Sequence, residues 1–584
     1  MKQLSGIDAT FLYMETPETP MHVAGLTLYD PPRALEGSFH QHFRAFFATR
    51  VHLIPIFSRK LARAIFDLDH PGWVDAGAID LDYHIRHQTL PRPGSFAQLE
   101  ALVGDLHSVT LDRSRPLWQF TVIDGLEDGR FALYSKVHHA AVDGGAGMVI
   151  TKALYDITEA PRDVGPAPPP KKRAKPTVEQ RALVGLNDLM ANMVRQHITL
   201  MTAGARLVGS VASALLPGLS DGKKDEADQK AAGAPALPSL VPPKTPFNVT
   251  ITGQRSYAAR TLSLDDARLV AKATGAKLND VVMAICSGAL RRYLQAKKKL
   301  PKTPLIAFVP ISLREAGNTD INNQVFGMNC PLATDIADPL ERLASIRRTS
   351  TTTKQVAGLA REAAPKDFTL IGAPLILPGL MQLFGKSGIA DMVPMGVNVV
   401  ISNTPGPPFP LYCAGARVSA LYPVSIPTHG IGLNLTVQSY LNQLDFGLTG
   451  CRRAVPDIAV LADHLKPALD ELVAAVKAGM AMAAGSPADH AAAKASRSGP
   501  APSKRATPRP APAKPESNEP AAPKTASAKT ASTKTASTKT ASAKTASAKT
   551  ASTKPASART ASGRSARSSA GGPGTAAGKT APKP

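Results

Sequence analysis

The chain has 584 residues, with 68 lysines and arginines against 45 acids for a net charge of +23, and only 4 cysteines. Cys286, Cys330, Cys413 and Cys451 lie far apart with no CxxC pair, which excludes a local zinc cluster and a disulfide framework and predicts reduced thiols. No run reaches the roughly 18 to 20 continuous apolar residues of a spanning helix. The nearest, "LIGAPLILPGLMQLF" from Leu370, is interrupted by Pro374 and Pro378, so any membrane contact is expected to be peripheral or re-entrant.

The opening "MKQLSGIDATFLYMETPETP" has one early lysine and then acids and prolines in place of an apolar run, so no secretory signal is expected and the protein should stay inside the cell. Residues 1–160 mix strand-like runs such as "HVAGLTLY" from His22 with helical periodicity such as "AQLEALVGDLHS" from Ala97. Pro116, Leu117 and Trp118 read as a strand start carrying an aromatic core residue. The stretch "RFALYSKVHH" from Arg130 alternates as a half-buried strand, and "DGGAG" from Asp143 reads as a turn. Successive strand side chains point to opposite faces, so His138 and His139 should diverge and make a poor chelate. No further histidine follows at helical spacing to complete a metal pair, and no metal is expected. Asp143 comes four residues after His139, where it could hold the loop through a buried ion pair, with Arg314 as a candidate partner. Gly144 and Gly145 suit either special backbone geometry or close approach of a ligand.

Residues 161–250 form a connector whose ends, "APRDVGPAPPPKKRAKP" and "GKKDEADQKAAGAPALPSLVPPKTP", are Pro-rich charged linkers. Between them, over 178–216, Leu183, Leu186, Met190, Met193, Val194, Leu200 and Met201 recur at near-helical spacing. Two readings stay open for this stripe: a helix packed on the core, or an interfacial helix drawn to anionic headgroups by Lys171, Lys172, Arg173 and Lys175. Residues 251–484 again alternate strands and helices. Asn279 and Asp280 precede the apolar helix "VVMAICSGALRRYL" as an N-cap arrangement. Two α/β parts joined by a connector predict a site in the crevice between them.

From Gly485 to the end there are 18 lysines and arginines against 3 acids, a net of +15, which leaves 23 − 15 = +8 for the rest. A basic residue recurs every fifth position from Lys524 to Arg564, among Ala, Ser and Thr. With almost no large apolar side chains, residues 485–584 are expected to be disordered. The tail is either a solubilising segment or a polycation for non-specific DNA or anionic lipid.

Several motifs together carry a resemblance. "HHAAVDG" resembles the HHxxxDG signature of the CoA-dependent acyltransferase superfamily. The opening "LSGIDATFLYMETPETPMHVAGL", "LDRSRPLW" ending at Trp118, the "ND" of Asn279 and Asp280, "VPISLR" ending at Arg314 and "NVVISNTPGPP" from Asn398 narrow it to the bacterial wax ester synthase/diacylglycerol acyltransferase family. The resemblance implies an α/β fold of two lobes, as in chloramphenicol acetyltransferase and condensation domains, with a tunnel between them and His139 at its middle. By the same resemblance His139 is the general base, for which a neutral imidazole is suited at cellular pH. His138 orients it, Asp143 and Arg314 are structural, and Asn279 is a candidate for oxyanion support at a helix N-terminus. Gly144, Pro116, Leu117, Trp118 and Asp280 are expected around the substrates.

The expected reaction moves an acyl group from acyl-CoA to diacylglycerol or a long-chain alcohol within a ternary complex, with acyl-CoA as co-substrate and no further cofactor. Its setting would be cytoplasmic, peripheral on the inner face of the plasma membrane or on lipid droplets. Three other readings carry the same or fewer motifs: a condensation-type enzyme using a carrier-bound acyl donor, a lipid-granule structural protein, and, from the tail alone, a nucleic-acid-binding protein.

Overall fold

The computed structural model describes residues 2–168, 241–312, 325–363, 373–392 and 396–485, apart from Arg33, Ala34, Glu36, Ile65, Phe66 and Asp143. The apolar stripe expected over 178–216, residues 486–584 of the basic tail, Asp143 and Arg314 lie outside the described residues.

Two six-stranded sheets organise the rest. The first runs Tyr412–Cys413, Ala416–Val424, His22–Asp30, Phe131–His138, Trp118–Asp124, Ile85–Thr89. All its pairings are antiparallel except the last. Phe131–His138 lies in its middle and is covered on both faces. Leu133 and Val137 join a core with Phe43, Phe47, Phe57, Trp118 and Phe120. Ala132 and Tyr134, on the opposite face by the two-residue period, join a core with Leu99 and Val103 of the helix Phe96–His107. Burial on both sides explains why the alternation read from the sequence is only partial.

The second sheet runs Val325–Pro331, Ile306–Ser312, Val399–Thr404, Leu433–Tyr440, Gln443–Cys451, Arg255–Ser263. The helix Leu278–Ala296 backs it and is buried without a break from Asp280 to Leu290. A helix apolar all round must be covered all round. Here the helices Pro339–Ala363 and Leu465–Gly485 complete the cover.

The two sheets are joined in ways that linear order does not announce. Strands Tyr412–Cys413 and Ala416–Val424 come late in the chain yet complete the sheet built otherwise from residues 22–138. Where Ala416–Val424 passes Gln443–Cys451, a Cβ on Gly447 would stand 1.7 Å from Pro423 O, so only glycine permits the crossing. The register shifts between Val418 and Ala420. Just beyond it, Asp445 Oδ2 accepts the Leu421 N–H at 2.8 Å while Oδ1 accepts the Thr261 hydroxyl at 2.6 Å. Burial pushes the Asp445 carboxyl up to about 6, against the pull of those two bonds. The helix Phe96–His107, started by a Ser95/Gln98 capping box, makes a second joint: Glu100 Oε1 accepts from Ala259 N and Arg260 Nη1, both at 2.7 Å.

Two local expectations are corrected. "DGGAG" is not a turn: the chain turns at His139–Ala141, and a helix, Gly144–Leu154, already begins at the first glycine. Asn279 and Asp280 are not N-cap residues, because the helix starts at Leu278. Asp280 instead reaches back from the first turn, accepting the Lys277 N–H at 3.1 Å, so the same residue type satisfies the same orphan donors from inside the helix.

Candidate active site

The histidine strand ends at His138, and His139 opens a short 3-10 turn. The two rings do diverge. His138 is fully buried, whereas His139 is half-buried and stacked on Phe11 of the helix Gly6–Met14, with ring centroids 3.9 Å apart and planes 13° from parallel. The His139 N–H donates to Met21 O at 2.8 Å, and Nδ1 is buried without a hydrogen-bond partner among the described residues. Burial lowers the imidazole to about 4, opposed by the residue's own backbone and helped by the neighbouring His138. The ring is therefore neutral throughout the cellular pH range.

His138 is tied through Nδ1. Its Nδ1 accepts the Ala140 N–H at 3.0 Å, so a ring proton can sit only on Nε2. That nitrogen faces Glu15 Oε1 at 3.4 Å, the long edge of hydrogen-bonding range. Glu15 Oε1 also accepts the Met21 N–H at 3.1 Å, and Oε2 accepts Arg113 Nε at 2.9 Å. Burial alone would raise this carboxyl, but the facing His138, the Arg113 charge and the Met21 N–H outweigh it and hold it at about 2.

Behind the strand lies a layer of buried basic groups that follow its two-residue period. Lys136 Nζ donates to Leu106 O and Val109 O, satisfying the carbonyl end of the helix Phe96–His107, and burial lowers its ammonium to about 8. His22, paired in register with His138, bonds His107 O at 3.0 Å. His107 bonds the Tyr134 hydroxyl and Ser425 O, and burial lowers it to about 3. None of these was singled out from the sequence. Glu15 and Met21 sit in the opening motif and Arg113 in "LDRSRPLW", so the signal was the motif itself; periodicity does not reveal that a glutamate just past a helix end turns inward.

Pro116, Leu117 and Trp118 are buried, Trp118 as the first residue of the neighbouring strand and the other two just before it. The Trp118 ring stacks on Phe57 and His84, and its Nε1 donates to Phe57 O at 3.0 Å. Leu117 O accepts the His138 N–H at 2.9 Å, so this segment braces the end of the histidine strand from the side. Asn279 and Asp280 belong to the other sheet's helix. Asn279 Oδ1 accepts Asn403 Nδ2 at 3.3 Å, and Asp280 Oδ1 accepts the Ser350 hydroxyl at 2.8 Å. No hydrogen bond joins either to the histidine turn among the described residues. Gly144 begins the helix that follows the turn. Asn398, first of "NVVISNTPGPP", is a buried tie, accepting Ile306 N–H and donating to Pro243 O and Asn248 Oδ1.

Comparison with known proteins places this arrangement. The family model of the wax ester synthase/diacylglycerol acyltransferase catalytic domain matches residues 4–282, and that of the WS/DGAT C-terminal domain matches residues 321–473. A Mycobacterium tuberculosis protein called a probable diacylglycerol O-acyltransferase is 35% identical over 472 residues, 80% of this chain and 98% of its own. The chain belongs to the wax ester synthase/diacylglycerol acyltransferase family. It is thus an acyltransferase, with the two-sheet α/β fold expected from its motifs. A second relative from M. tuberculosis is 37% identical over 485 residues, 82% of this chain and 92% of its own. The solved wax ester synthase/diacylglycerol acyltransferase from Marinobacter aquaeolei VT8 superposes with a TM-score of 0.58 at 30% identity, over 82% of this chain and all of that one. The two matched segments together span both sheets.

Proposed function

We propose that the protein transfers a fatty acyl group from acyl-CoA to the hydroxyl of diacylglycerol, of a long-chain alcohol, or of both, with His139 as general base. The observation that carries this reading is a neutral, half-buried imidazole, held by its peptide N–H and by Phe11, on the turn that bears the family's histidine motif. An alcohol attacks a thioester slowly unless a base takes its proton as the new C–O bond forms. Nε2 of His139 takes that proton. The tetrahedral adduct then collapses, breaking the C–S bond, and the imidazolium returns the proton to the departing CoA thiolate. Asn279 supports the oxyanion: its carbonyl oxygen is occupied by Asn403, leaving the NH2 to donate near a helix N-terminus.

An acyl-enzyme is unnecessary, because the thioester is already activated, and Cys286 and Cys413 suit that role poorly. All four cysteines are free and buried, and burial pushes Cys286 and Cys413 up to about 12. The substrates are small molecules plus a lipid phase that supplies the acceptor. No helix among the described residues is long and apolar enough to cross a membrane. The helix Ala373–Ser387 supports a peripheral contact instead. Its inner side, with Ala373 and Leu377, packs into the core that holds the helix Gly6–Met14 and the histidine turn. Its outer side exposes Leu375, Ile376, Leu380 and Leu383 and carries no acid. A helix apolar on both sides is ordinarily covered, and next to a site that uses water-insoluble acceptors the matching cover is lipid.

The test is direct. Purified protein is given labelled palmitoyl-CoA with diacylglycerol or hexadecanol in separate reactions, and label should enter triacylglycerol, wax ester or both. His139→Ala should lower turnover by about 100- to 10,000-fold at unchanged fold, the usual share of a positioned base. Product formation by that variant at the wild-type rate would remove His139 from the chemistry.

A further inference from the structure

We infer that Glu15 is the positioning residue of the catalytic turn, setting His139 through the His138 ring on one flank and the Met21 peptide on the other. The inference rests on reading His139 as the base. A single oxygen, Oε1, accepts the Met21 N–H at 3.1 Å, and the Met21 carbonyl accepts the His139 N–H at 2.8 Å. The same oxygen faces His138 Nε2 at 3.4 Å, and His138 Nδ1 accepts the N–H of Ala140, the residue just after His139. Both chain neighbours of the base are thus tied to one carboxylate. The second oxygen takes Arg113 Nε at 2.9 Å, and Arg113 Nη2 donates to Leu12 O at 2.7 Å on the helix whose Phe11 stacks on the base.

The residue type matters as well as the contacts. Two donors, a peptide N–H and a guanidinium, bond to this side chain while the His138 ring lies against it at 3.4 Å, and an ionised carboxylate suits all three. A glutamine would turn its NH2 toward one of them. The Glu15 side chain is only 5% exposed, so water does not replace a lost partner. Its three partners account for both oxygens, which places Glu15 behind the histidines and not against the reacting atoms.

The test is the steady-state kinetics of Glu15→Ala, Glu15→Gln and their combinations with His138→Ala, with melting temperature measured alongside. A displaced base costs rate without costing donor affinity. Glu15→Ala should lower kcat by about 30- to 300-fold and Glu15→Gln by about 3- to 10-fold, with the KM for palmitoyl-CoA within about two-fold of wild type. Glu15 and His138 act through one contact, so the double variant should be no slower than the slower single. Multiplied losses in the double variant, or a Glu15→Ala kcat within two-fold of wild type, would overturn the inference. If Glu15→Ala does not fold, Glu15→Gln and Arg113→Met serve: each should lower kcat by about 3- to 10-fold, with no further loss together, and wild-type kcat in both overturns the inference equally. An active His139→Ala variant would sink the base assignment itself; an inactive one beside a fully active Glu15→Ala sinks only the role of Glu15.

Discussion

At the scale of single residues, the contrast between His138 and His139 underlies the proposed chemistry. They are adjacent and chemically identical, yet one is fully buried with Nδ1 bonded and Nε2 facing Glu15, and the other is half-buried with its peptide clamped. The motif singled out His139 for the proposed base, and the two-residue alternation was enough to predict that the rings diverge. The ring's pKa was not legible, because desolvation depends on Phe11 and the surrounding core, which come from another element. An ordinary imidazole titrates near 6.5, whereas burial lowers this one to about 4. The active form is the neutral base, so a lowered pKa extends activity toward acid. We predict that kcat/KM stays flat from about pH 8 down to about 5.5 and falls only below that, through a midpoint near the lowered value. A midpoint near 6.5 in initial rates, with the enzyme shown to be folded there, would mean that the ring is better solvated than its surroundings indicate.

At the scale of elements, the joints between the sheets carry the less visible information. Asp445 holds the shifted register of Ala416–Val424 from the neighbouring sheet. Its folded pKa, about 6, lies above the ordinary carboxyl value near 3.9, so the folded state keeps a proton that the unfolded chain releases. The associated stability is present below about pH 3.9 and is lost as the pH rises through about 6. Asp445→Asn can accept from Leu421 N without that cost and should melt at or above the wild-type temperature at pH 7.5, with less advantage at pH 5. Asp445→Ala leaves the Leu421 N–H without a partner and should cost about 1–3 kcal/mol at either pH. Equal melting of both variants at pH 7.5 would show that the joint contributes little. The apolar helix Ala373–Ser387 offers another measurement at this scale. Leu380→Glu with Leu383→Glu should weaken flotation with phosphatidylcholine vesicles containing diacylglycerol by about ten-fold or more, and leave turnover on detergent-dispersed acceptor within about two-fold. Unchanged flotation would assign the vesicle contact to another surface. The sequence showed this run as apolar and broken by prolines, but only packing shows which half of its apolar side chains is left uncovered.

At the scale of the whole molecule, charge and catalysis divide along the chain. The matched family segments end at residue 473, and the last 100 residues carry +15 of the net +23. We expect truncation before Gly485 to leave transfer to dispersed acceptors within about two-fold of wild type and to remove most salt-sensitive binding to DNA and anionic vesicles, because closely spaced cations neutralise phosphates without reading sequence. A truncated enzyme that folds but is inactive on dispersed acceptors, or that binds both polyanions as before at low salt, would contradict this division.

The sequence by itself determined the family, the alternation of strands and helices in each part, and the basic tail, and its motif singled out His139 for the proposed base, because these reside in contiguous motifs, local periods and composition. It did not determine that strands 412–424 complete the first sheet, that Glu15 turns inward to the histidines, or that Asp280 caps from inside its helix. Each of those depends on a partner brought close only by the fold: His22–Asp30 for the late strand, Met21, Arg113 and His138 for Glu15, and a helix that begins three residues earlier than its polar pair suggests. Local propensity is written in neighbouring residues. Burial, and the charge states that follow from it, are set by residues distant in the chain, so only the tertiary structure decides them.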